Sequence, residues 1–163
     1  MRIHLLEPSL RGKTGHLFDF SLTIAGGLCR RGAQVVVLGH QSAHPDVQAA
    51  FTQAGISFLA HFSNDILGSD QATVPLDGVE RVLGLHPRHQ LEMATQTDLW
   101  LLPTLTTQAL SACSMVADAP PLVGLVHTPP EFHSPHGDRL WRRATDRIVA
   151  RGQTLRIDAI DPL

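Results

Sequence analysis

At 163 residues the chain is long enough for one domain with a real core and too short for two ordinary ones. Hydrophobic residues make up 43% and charged residues 17%, a balance that excludes a disordered chain. The formal net charge is −2 with histidines neutral, so no global field draws the chain to nucleic acid or to an anionic membrane.

Short apolar runs alternate with helical periods, the pattern of a parallel sheet with crossover helices. Residues 3–6 form a first strand, followed by a polar, glycine-bearing loop over 8–15. A helix is expected over 16–31, with Leu17, Phe20, Ile24 and Leu28 recurring at three- and four-residue steps and Phe18, Leu22, Ala25 and Cys29 beside them. Gly32 ends that helix in the left-handed position. Residues 34–38, Gln-Val-Val-Val-Leu, read as a strand buried on both faces. A short helix over 45–54 is closed by Gly55, and 56–62 is a third strand.

Residues 64–82 show no sustained period, and 87–95 reads as helical. Residues 99–102 form the next buried strand, stopped by Pro103. A helix over 106–117 and a strand over 122–126 follow. Asp138 is expected to cap a helix over 139–150 that Gly152 ends, and 154–157 starts a sixth strand. The runs 35–38, 99–102 and 122–126 are expected to be neighbouring parallel strands with helices on both faces. No repeat or linker divides the chain, so 1–163 reads as a single Rossmann-like domain.

Cys29 and Cys113 show no CxxC spacing and read as buried thiols in a reducing compartment. The first residues lack the apolar stretch and cleavage site of a signal peptide, and no run approaches the ~18–20 apolar residues of a membrane helix. The expected location is cytoplasmic.

Residues 7–14 test as a phosphate loop, since they follow a strand and contain Gly12-Lys13-Thr14. The P-loop spacing needs a glycine where Glu7 stands, and a carboxylate there repels phosphate. The dinucleotide fingerprint is also absent, so no cofactor is expected. What remains is a loop opening onto free helix amides at Gly15 and His16, which suits an anionic or hydroxyl-rich ligand. An ordinary strand–helix connection explains the same residues equally well.

His127 stands just past a buried strand, where open α/β sheets place ligand contacts. Its imidazole can hold a hydroxyl or act as a base, with Glu131 near enough in sequence to orient it. The bland alternative is a histidine closing a proline-rich loop. A metal set of His127, Glu131, His133 and His136 is set aside, because its spacing matches no common zinc pattern and the intervening prolines limit convergence. Arg139, Arg142, Arg143, Arg147 and Arg151 line the last helix, and Leu140, Trp141, Ala144 and Ile148 form its buried stripe. That basic face is either solvated or a peripheral contact for anionic lipid or a phosphate-bearing acceptor.

The start Gly15-His16 into Leu17-Phe18-Asp19-Phe20, then Arg30 to Gly39, resembles the opening of glycosyltransferases with two facing Rossmann-like domains, the retaining family-4 kind with a GT-B fold. Residues 97–104 and 121–131 fit as well. The resemblance implies one half of a GT-B fold, with Gly15, His16 and His127 as cleft residues and a sugar or glycan acceptor as partner. It implies a nucleotide-sugar donor held only by a missing carboxy-terminal domain, so the isolated chain is expected to be inactive. The rival is a non-catalytic Rossmann-like binding or interaction module.

Overall fold

The computed structural model describes residues 1–63, 95–126 and 135–159. In chain order the elements are β1 (Arg2–Leu6), α1 (His16–Arg30), β2 (Gln34–His40), α2 (Pro45–Gln53), β3 (Ser57–Phe62), β4 (Leu99–Leu102), α3 (Thr107–Ser114), β5 (Leu122–Val126), α4 (Pro135–Ala150) and β6 (Leu155–Ala159). The expected irregular stretch over 64–82 and most of the expected helix over 87–95 lie outside the described residues.

The strands make one six-stranded parallel sheet in the order β3-β2-β1-β4-β5-β6. The three apolar runs expected to be neighbours share this sheet, but β1 lies between β2 and β4. Its residues Ile3, His4 and Leu5 pair with Val35, Val36 and Val37 on one side and with Leu99, Trp100 and Leu101 on the other. A five-residue strand at the chain start, with only Ile3, Leu5 and Leu6 apolar, thus becomes the centre of the sheet, a placement no local pattern specifies.

Alternation along the strands separates two cores. Ile3, Leu5, Val35, Val37, Phe58 and Leu101 pack with Phe18 and Ala25 of α1 and Val47 and Phe51 of α2. On the opposite face Leu6, Leu38, Trp100, Leu102, Leu122 and Val126 pack with Leu110 and Cys113 of α3 and with Leu140, Ala144 and Ile148 of α4. Helices therefore cover both faces. Phe51 stacks on Phe58 at 5.6 Å between ring centroids and meets Phe18 edge-on at 5.8 Å, which ties α1, α2 and β3 together. Burial pushes the Cys113 thiol up to about 12, so it stays protonated and acts as a small core residue.

The buried side of one helix and the start of another differ from the reading from sequence. The fully buried side of α1 is Phe18, Ser21 and Ala25, while Leu17, Phe20, Ile24 and Leu28 are half-buried flanks. Small residues at 21 and 25 let the helix approach the sheet, so the larger side chains pack along its sides. Asp138 is no cap: α4 begins at Pro135, and the carboxylate instead accepts from Arg142 Nε at 3.2 Å one turn on. The end of α1 is as expected. Gly32 has φ 84°, its N–H donates to Cys29 O at 2.9 Å, and Ala33 N donates to Leu28 O at 3.1 Å. The same pair of bonds closes α2 and α4.

Ser21 is wholly buried and its Oγ has no hydrogen-bond partner among the described residues. Removing that hydroxyl strands no other group and substitutes a better helix former. Ser21→Ala should leave stability unchanged or raise it by up to about 1 kcal/mol in urea unfolding. A loss above about 1 kcal/mol would mean that the hydroxyl has a partner in solution.

Candidate functional site

The strand order fixes where a ligand belongs. The crossover through α1 covers one face and the crossover through α3 covers the other, so the winding reverses between β1 and β4. At such a switch point the loops leaving the two carboxyl ends diverge to opposite faces and leave a crevice. Here those loops begin with Glu7 after β1 and Pro103 after β4. A cavity of about 530 Å³ opens elsewhere, at the amino ends of β1 to β3, lined by Arg2, His4, Gln34 and Ser57 among others. The carboxyl edge is the better candidate, because only there do strand ends, loop amides and helix amino termini converge.

The β1–α1 loop is folded against this edge. Glu7 is 1% exposed and donates its N–H to Leu38 O of β2 at 3.0 Å, and its carbonyl accepts from Leu10 N at 3.0 Å. The chain then rises to the surface at residues 13–16. Gly15 is the residue before α1, with φ 93° and ψ 167°, and no side chain caps the helix. A side chain at that φ would be strained even though the space around it is open. His16 is the first helical residue and is exposed. Gly15 and His16 therefore stand at the start of α1, which has no side-chain cap, next to the carboxyl edge. Lys13 adds a cation nearby, with Nζ 5.9 Å from the centroid of the Phe18 ring.

On the β4 side, Thr106 caps α3 by accepting from Ala109 N at 3.1 Å. The hydroxyls of Thr104 and Thr107 beside it are buried with no hydrogen-bond partner among the described residues. Leu105 N donates to Leu125 O at 2.8 Å, which lays the loop along β5 over Gly124. Those threonines were not singled out from sequence, where only a helix over 106–117 was expected.

β5 ends at Val126, so the backbone leading to His127 reaches the same carboxyl edge as β1 and β4. His127 and Glu131 themselves lie outside the described residues, as do His133 and the side chain of His136. Among the described residues no group of three His, Cys, Asp or Glu side chains could hold a metal ion. The basic helix is less free than its composition implies. Arg151 donates to Ser114 O at 2.7 Å and Val116 O at 3.3 Å, closing the end of α3, and Arg142 pairs with Asp138. Among the described residues no helix is long and apolar enough to cross a membrane.

No protein-family model matches the chain, and no curated protein sequence matches it. Solved structures do. The crystal structure of the glycotransferase of kitacinnamycin superposes with a TM-score of 0.51 at 19% identity, covering 93% of this chain. This chain has a fold found in glycosyltransferases. It spans 40% of the length of that neighbour. SsfS6 from Streptomyces sp. SF2575, a glycosyltransferase complexed with thymidine diphosphate, is similar over all of this chain and 48% of its own, at 21% identity and a TM-score of 0.49. Acinetobacter baumannii MurG is similar at 11% identity and a TM-score of 0.49, over 87% of this chain and 39% of its own.

The approach of Leu105 to β5 holds the β4 side of the crevice in place. A Cβ on Gly124 would fall 2.3 Å from Leu105 Cδ2 and 3.0 Å from its Cβ. Gly124→Ala should therefore cost about 1–3 kcal/mol in urea unfolding, as overpacking does. The double variant Gly124→Ala with Leu105→Ala should show less than the sum of the two single losses. Additive losses would show that the two residues do not press on one another.

Proposed function

We propose that this chain is the acceptor-side half of a two-domain glycosyltransferase of GT-B type, residues 1–163 forming one Rossmann-like domain. The observation that carries the reading is the match of nearly the whole chain to less than half of a solved glycosyltransferase. A crevice at the β1/β4 switch point supports it, since that edge offers uncapped amides at Gly15, an imidazole at His16 and hydroxyls after β4.

In this proposal a sugar passes from a nucleotide-sugar donor, held by a second domain, to a hydroxyl of an acceptor bound here. Gly15 and His16 hold the acceptor's polar groups. His127, following β5, takes up or orients the reacting hydroxyl, and Glu131 sets the imidazole. The contribution of this half is positioning, which lowers the barrier by fixing the acceptor against the donor carbon. A reducing compartment, the cytoplasm, accords with the two free cysteines, Cys29 and Cys113. The basic face of α4 serves at most as a peripheral contact to an anionic surface.

Calorimetry of the isolated chain with uridine and guanosine diphosphate sugars tests the division of labour. No binding tighter than roughly millimolar, a free energy of about −4 kcal/mol, is expected. Saturable micromolar binding would reassign this chain to the donor side. In the two-domain enzyme, His127→Ala should lower turnover by about 10²-fold or more with an unchanged melting temperature. A variant that melts early while keeping its turnover would make His127 a structural loop residue.

A further inference from the structure

At the amino ends of β1, β2 and β3, on the side of the sheet that α3 and α4 cover further on, lies the cavity of about 530 Å³ that the proposed reaction does not use. Strand register builds its floor. Arg2 pairs with Gln34, Val36 with Ser57 and Leu38 with Leu59, so the side chains of Arg2, Gln34, Val36, Ser57 and Leu59 stand on one face. Parallel sheets are ordinarily covered on both faces. Here Leu59 lies within a sheet strand yet is 53% exposed.

The charge on the lining has one sign. The Arg2 guanidinium is exposed, and its Nη1 gives one long bond to Gln96 O at 3.3 Å, which leaves further N–H groups to donate. Asp98 accepts from the Arg2 main-chain N–H at 2.7 Å, so that carboxylate is engaged by backbone. Among the described residues no aspartate or glutamate lines the cavity. An exposed amide at Gln34 and an exposed hydroxyl at Ser57 add donors, with the apolar Val36 and Leu59 beside them. A cavity of this size suits a small molecule, and a guanidinium next to an apolar floor suits an organic anion.

We propose that this cavity is a second binding site, for a small carboxylate with an apolar tail: Arg2, Gln34 and Ser57 receive the carboxylate, and Val36 and Leu59 lie under the tail. It stands at the opposite strand ends from the crevice, roughly 15 Å away by the rise of β1, so its ligand touches no group assigned to transfer. The site neither needs nor supports the acceptor-side reading, and either can fail alone.

Nitrogen-15 correlation spectra of the whole chain, titrated with octanoate and separately with octan-1-ol, test it. Octanoate should shift the amides of Gln34 and Ser57 and the Arg2 Nε resonance saturably, with half-effect below about 5 mM, and leave Gly15 and His16 in place. Octan-1-ol should bind at least about fivefold more weakly, since it lacks the charge that a guanidinium meets. Equal response to both probes, a response centred on Gly15 and His16, or none at all overturns the proposal. Arg2→Gln removes the cation from an exposed position and should keep the parent's melting temperature. In that variant octanoate should bind about tenfold more weakly and octan-1-ol as before. Leu59→Ser should weaken both probes, and unchanged octanoate affinity in either variant overturns the assignment. Should a variant fail to fold, the two probes on the parent chain decide.

Discussion

The central strands of this sheet bury both faces, and their parallel pairing obliges every connection to cross over one face or the other. Right-handed crossovers that start from β1 and from β4 in opposite senses place α1 and α2 on one face and α3 and α4 on the other. That single reversal creates the two separate cores, puts β1 in the middle, and opens the crevice where two loops part.

The crevice is asymmetric in how it is held. On the β4 side the loop is fixed by packing: Leu105 sits on Gly124, and Arg151 closes the end of α3 from the end of α4. On the β1 side the loop is fixed by polar contacts, with Glu7 N–H on β2 and His44 N–H on Arg11 O. Apolar packing is non-directional and tolerates small shifts, whereas a hydrogen bond fixes a direction. If the loop offers backbone amides to an acceptor as proposed, it benefits from the second kind of restraint, because a hydrogen bond is lost when its angle is wrong.

Likeness to glycosyltransferases rests on fold, and a fold hosts many chemistries. The chemical content proposed here comes from the edge itself: an uncapped helix start at Gly15, hydroxyls at Thr104 and Thr107 without a partner among the described residues, and a strand that ends at Val126. In the proposed acceptor site these groups would meet polyhydroxylated or anionic parts of a ligand. Glu7, buried where a phosphate-binding loop would carry glycine, keeps the edge from serving as a nucleotide triphosphate site.

Much of the secondary structure was legible along the chain because its signals are local. Runs such as Val35-Val36-Val37 and Leu99-Trp100-Leu101 announce buried strands, and Gly32, Gly55 and Gly152 announce helix ends by the positive φ they adopt. Gly15 and His16 were legible for the same reason, standing at the junction of a loop and a helical period. The buried side of α1 was misread in part, because Ser21 and Ala25 carry little hydrophobic signal and are chosen for size against the sheet. Strand order could not be read at all: β1 separates β2 from β4 through contacts between residues almost a hundred positions apart, as Ile3 with Leu99. The cavity at the amino ends was invisible for a related reason, since Arg2, Gln34 and Ser57 share a floor only once three strands are paired. The sequence by itself determined which segments are helix and strand, through periodicity and turn chemistry. Only the tertiary structure decided which strand lies at the centre and which polar groups meet at its end, because those depend on long-range pairing that no window of residues encodes.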